Sequence, residues 1–141
     1  VKCSTTSKTW LQNQDKWSLR DDKGNIIHHN SWPMFDPTKK DFVDFWVGHL
    51  VDIAKQRLSN GKVLIDGFFL DGIPNSDTEI RNLTKAENDA HDKAQAAMIG
   101  KLQAALDGFG ENQKAIMNAL DSDYGLKLHV EGAAASMVDH F

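Results

Sequence analysis

The feature that most constrains the fold is the run Val63-Leu64-Ile65-Asp66-Gly67-Phe68-Phe69-Leu70. It is nearly all apolar rather than alternating, which predicts a strand covered on both faces. Asn60-Gly61 precedes it and Asp71-Gly72-Ile73-Pro74-Asn75 breaks it. A strand of that kind needs layers on either side, and the flanking sequence offers helices for them. Upstream, Asp36-Pro37 sets a capping acceptor before a proline at the first helical position. Phe42, Phe45, Trp46, His49, Leu50, Ile53 and Ala54 then recur at spacings of three and four, predicting a helix to about Leu58. Downstream, Thr84-Lys85-Ala86-Glu87 is a capping box. It opens a helix carrying Ala94, Ala97, Met98, Leu102, Ala105 and Leu106, which stops near Gly108.

Three more segments read as strands: Pro33–Phe35, Lys114–Ala119 and Leu126–Glu131. The order is strand, helix, strand, helix, strand, strand. It predicts a single α/β domain over residues 1–141 with mainly parallel strands. Only Ala119 to Gly125 separates the last two strands, short for a parallel crossover. The 141 residues suffice for one core, with 40% apolar and 26% charged side chains.

Composition also excludes. Sixteen basic against twenty acidic residues give a net charge of −4, and no Lys/Arg run marks a nucleic-acid partner. No apolar run nears the ~18 residues of a membrane span. Cys3 is the lone cysteine, so neither an intrachain disulfide nor a two-thiolate zinc site is available. Neither Gly-x-Gly-x-x-Gly, nor the Walker pattern, nor Gly-x-Ser-x-Gly around Ser136 occurs. No cofactor is implied. Residues 1–10 are polar and do not read as a leader. The chain begins with Val, which reads as a processed product or a piece of a longer protein. Asn82-Leu83-Thr84 fits the N-glycosylation pattern, a triplet that also arises by chance.

In parallel α/β sheets, sites form outside the carboxyl ends of strands. Asp36, Asp71, Asn118 and Glu131 each follow or end one predicted strand. Such an edge can gather two carboxylates across one pocket, as glycoside chemistry requires. Each residue also has a plainer reading: Asp36 as a helix cap, Asp71 as the start of an Asp-Gly turn, Asn118 as a strand-end turn. Glu131, before Gly132 and three alanines, suits no cap or turn. Asp66 reads as a buried anchor. His28-His29 point to opposite faces of an extended chain and do not make a metal site. His49 reads as a core residue, while His91 and His140 have no evident partner. Trp10, Trp17 and Trp32 either stack on sugar rings or close a core.

The segment Trp17–Asn25, the segment Met34–Phe42 and Asp66-Gly67-Phe68-Phe69-Leu70-Asp71 resemble, in order, three segments of glycoside-hydrolase-like TIM barrels. In these the patterns run W-x-L-x-D-x-x-G, an aspartate-led phrase before a helix, and D-G-(I/V/F)-F-L-D. Asn118 and Glu131 are similar in kind and order to the later site residues, and the likeness spans residues 17–131. The resemblance implies a (β/α) barrel cleaving glycosidic bonds, with Asp71 and Glu131 as catalytic carboxyls and no metal. Asp36, Asn118 and Trp32 would then bind the carbohydrate. A full barrel takes ~200–250 residues. The expectation is therefore a partial barrel whose open edges a partner chain or the remaining units would cover, in an extracellular or secretory setting. The rivals are a non-catalytic carbohydrate-binding or structural protein on that scaffold, and a stand-alone α/β interaction module.

Overall fold

A computed structural model describes residues 8–29, 31–70, 82–111 and 113–117. The described residues are mostly helical. The order is α1 (Lys8–Trp17), β1 (His28–His29), β2 (Trp32–Pro33), α2 (Lys40–Ala54), β3 (Gly67–Leu70), α3 (Lys85–Asp107) and β4 (Lys114–Met117). The strands make two separate two-stranded ladders, β1 with β2 and β3 with β4. This overturns the expected α/β, TIM-barrel-like arrangement: three helices dominate, and the strands are two or four residues long.

The reason is visible in the apolar run. Only Gly67–Leu70 is strand. Val63 instead bridges back to Arg57 in antiparallel fashion. The Leu64 N–H donates to the Gln56 carbonyl at 3.1 Å. Residues 56–64 thus fold onto themselves as a tight loop, with Gly61 at φ 82°. Nor is the run covered on both faces, since Leu64 is 47% and Phe69 63% exposed. Asp66 lies outside β3 with its side chain exposed, not as a buried anchor. Its carbonyl accepts from the Lys114 N–H at 3.2 Å.

The expected first strand, Pro33–Phe35, is displaced by a residue and joins the antiparallel β1–β2 hairpin, with His28 opposite Pro33. Phe35 makes an isolated bridge to Ser18. The hairpin belongs to a small second core of Leu19 and Ile27, with Met34 and Leu83 against it.

Helix α1 carries Trp10 and Trp17, seven residues apart and both buried. Two turns separate them, so they fall on one face. Trp10 meets Phe35 at 4.3 Å, Phe45 at 5.2 Å and Phe42 at 5.5 Å between ring centres. Trp17 packs on Phe45 at 5.1 Å. These two tryptophans therefore close a core. In α2, Phe42, Trp46, Val47 and Ala54 are buried. His49 is exposed, stacked on Phe45, rather than a core residue. The helix stops at Ala54, and its N-cap is Lys39, without a side-chain cap bond, not Asp36.

Helix α3 starts where the capping box predicts. The Thr84 hydroxyl accepts from the Glu87 N–H, and the Glu87 carboxylate accepts from the Thr84 N–H. Its inner face is Met98, Ile99, Leu102 and Leu106, while Ala97 is exposed. One core cluster joins Trp10, Trp17, Phe42 and Trp46 to Leu70 and this face of α3. The expected strand Leu126–Glu131 lies outside the described residues.

Candidate functional site

Strands β3 and β4 are parallel and in register, Gly67 opposite Lys114 through Leu70 opposite Met117. Helix α3 is the return path between them. Close approach at the entry edge rests on Gly67: a Cβ there would stand 2.1 Å from the Lys114 carbonyl oxygen. Gln113 fixes the same edge. It is fully buried, and its Nε2 donates to the Ala54 carbonyl at 3.0 Å and the Ile65 carbonyl at 2.9 Å. Gln103 of α3 donates to the Gln113 carbonyl at 3.3 Å and to Asp107 Oδ1 at 2.7 Å.

These bonds tie the last turns of α3 to the strand-entry edge. Twelve residues earlier, about 18 Å back at ~1.5 Å per residue, the helix has passed the ~13 Å length of a four-residue strand. The early turns of α3 therefore lie towards the edge where β3 and β4 end.

There the inner face of α3 changes chemistry. Asn88, His91 and Gln95 continue the stripe of Met98, Leu102 and Leu106, and all three are buried. Burying polar groups costs free energy unless each finds a partner. Asn88 Nδ2 donates to the carbonyls of Thr84 at 3.1 Å and Leu83 at 3.3 Å. His91, 3% exposed, holds Nδ1 at 3.6 Å from Asp92 Oδ1, just beyond hydrogen-bond length. Burial pushes the His91 imidazole below its ordinary pKa, opposed by the carboxylates of Asp92 and, next, Asp36.

Asp36 is thus electrostatically coupled to α3. It is buried at the entry to α2. Its Oδ1 accepts from the Thr38 N–H at 2.9 Å and the Thr38 hydroxyl at 2.6 Å. The Lys39 ammonium stands 3.8 Å from Oδ2. The carboxylate therefore closes an Asp36-Pro37-Thr38 turn ahead of the helix. This is a local structural role, though one turn earlier than a cap.

Of the other expected site residues, Trp32 contributes its backbone to β2. Asp71, Asn118 and Glu131 lie outside the described residues, as do Ser136 and His140. The described chain ends β3 at Leu70 and β4 at Met117, the residues immediately before Asp71 and Asn118. The buried polar stripe went unread in the sequence. Its signal was the continuation of the 98–102–106 spacing backwards through 95, 91 and 88, hidden because those positions carry polar residues.

A separate open groove of about 480 Å³ runs between the 21–25 turn and the start of α3, lined by Asp21, Asp22, Lys23, Asn25, Asn82, Leu83, Thr84 and Glu87. Asp21 accepts from the N–H groups of Lys23 and Asn25 and from the Asn25 amide. Those bonds, the Asn25 amide first, hold its carboxyl below the usual range. Glu87 is lowered likewise by the Thr84 N–H and hydroxyl. Both carboxylates serve local turns.

Among the described residues, no three or more His, Cys, Asp or Glu side chains are grouped to hold a metal ion. No helix among them is long and apolar enough to cross a membrane. Compared with known protein families and with curated proteins, the chain matches none.

Proposed function

We propose that the chain is a glycoside hydrolase-like protein that cleaves a glycosidic bond with two carboxyl groups, Asp71 and Glu131. One protonates the leaving oxygen while the other acts as nucleophile or base. Asn118 and Trp32 serve the sugar side of the site, while Asp36 closes the turn ahead of α2. The reading needs no metal or organic cofactor and does not depend on a closed barrel. The observation that carries it is the parallel register of β3 and β4. Two neighbouring strands run out at one edge, and the residue next in sequence after each is a candidate site residue. In a parallel strand–helix–strand unit such as β3–α3–β4, the carboxyl ends of the strands are where ligand-binding groups gather. The buried polar stretch of α3, Asn88, His91 and Gln95, lies towards the same edge.

The test is hydrolysis of a panel of aryl glycosides and reducing-end-labelled oligosaccharides by the purified chain. Turnover that falls about 10²–10⁴-fold in both Asp71→Asn and Glu131→Gln supports the mechanism. Oligosaccharide binding without turnover, unchanged in those two variants, sinks it in favour of a non-catalytic carbohydrate-binding protein.

A further inference from the structure

We propose that Asn82 is an N-glycan acceptor. Asn82-Leu83-Thr84 is the one Asn-x-Ser/Thr triplet of the whole sequence. Its position in the fold separates it from a chance occurrence that packing would silence. Asn82 is exposed, in the turn that leads into α3. It is the only non-glycine residue at positive φ among those described, at 72°. Asparagine tolerates that conformation. Among the described residues its side-chain amide makes no hydrogen bond.

The surroundings also suit a sugar. Asn82 stands on the lip of the open groove lined also by Asp21, Asp22, Lys23, Asn25, Leu83, Thr84 and Glu87. All but Leu83, which packs on the small second core, are polar, so a glycan over the groove would hide no large apolar surface.

Thr84 adds an order of events. Its hydroxyl accepts from the Glu87 N–H at 3.2 Å and lies 2.8 Å from the Glu87 carboxylate, to which it donates. Folding thus engages the hydroxyl that completes the acceptor triplet, so the transfer precedes closure of the α3 cap. In the transfer, Asn82 Nδ2 forms a bond to the anomeric carbon of a lipid-pyrophosphate-linked oligosaccharide. The anomeric carbon–oxygen bond to the pyrophosphate breaks, the electron pair leaves with that oxygen, and the amide proton is released. No oxidant or reductant is needed. The inference is independent of the glycosidase reading.

The test is expression of the full chain behind a cleavable secretion leader in a eukaryotic host. Intact mass is read with and without peptide N-glycosidase, on both the medium and the internal membrane fraction. The wild type is expected to carry one enzyme-releasable glycan. Asn82→Asp, which keeps a residue tolerant of positive φ, loses it. Thr84→Ser, which keeps the hydroxyl and the cap, retains it at equal or lower occupancy. A wild-type chain without a releasable glycan in either fraction overturns the proposal, and so does a glycan that persists in Asn82→Asp.

Discussion

Gly67 and Gln113 show how much of this fold rests on single side chains, or on the lack of one. The pairing of β3 with β4 begins where a Cβ at position 67 would lie 2.1 Å from one backbone atom of Lys114 and 2.8 Å from another. Backbone cannot swing aside as a flexible side chain can. Gly67→Ala is expected to cost about 3 kcal/mol, the upper end for overpacking, read as a lower urea midpoint with an unchanged slope. Gln113 is the reverse case, a polar side chain that must be present. Its amide serves the carbonyl of Ala54, one of the last-turn acceptors that a helix end leaves open, and that of Ile65. Gln113→Leu is close in size but removes the donor. The Ile65 carbonyl is then left unpaired, while that of Ala54 keeps Arg57 Nη1 at 3.1 Å; a loss of roughly 1–3 kcal/mol follows, and Gln113→Glu should not restore it. A variant as stable as wild type would show that water replaces the amide.

Among the elements, α3 was the most legible in the sequence and α1 the least. The Thr84–Glu87 box marks the start of α3 through local chemistry that does not depend on the rest of the chain. In α1, two tryptophans seven apart among polar residues give too sparse a stripe to reveal a helix. Aromatic packing from α2 and Phe35 holds it instead. The apolar run before Leu70 misled because composition records burial on average and not the direction of the chain. The Arg57–Val63 bridge turns the first two residues of the run, Val63 and Leu64, into a loop. For the candidate site, sequence singled out Asp36, whose side chain serves a turn, and passed over the α3 stripe. That stripe has a consequence for pH. His91 is held below its ordinary pKa by burial, so the unfolded chain binds its proton more readily. The stability it contributes is complete above the unfolded value of about 6.5 and declines as pH falls from there towards the native value. The melting temperature should therefore drop as pH falls below about 6.5, and the drop should shrink in His91→Gln. In Asp36→Asn it should steepen, since one opposing carboxylate is gone. Identical slopes in all three proteins would assign the drop to other groups.

At the scale of the whole molecule, acid should act a second time, on the ties between helices. Lys16 of α1 pairs with Asp41 of α2. Asp44 of α2 receives Lys101 of α3 at 2.5 Å, and also Lys40 of its own helix. Each carboxyl is half-exposed and weak singly, but together they link all three helices across the faces that the aromatic core leaves open. The Lys16 ammonium, then the Trp17 indole, lowers Asp41 to about 2. Lys101, then Lys40, holds Asp44 below its usual range. Because these carboxyls are more acidic folded than unfolded, their contribution is full above the unfolded value of about 3.9 and fades as pH falls towards the native values. The loss belongs below about pH 4, whereas the His91 decline sets in near its unfolded value of about 6.5. A pH series of melting curves should therefore show two declines, an upper one that begins near about 6.5 and a lower one below about pH 4. The lower one should weaken in 1 M salt, where the Debye length shrinks to about 3 Å. In Asp44→Asn it should weaken already at low salt, while the upper decline keeps its position. A lower decline that neither salt nor Asp44→Asn alters would mean that the helices are joined by the core alone.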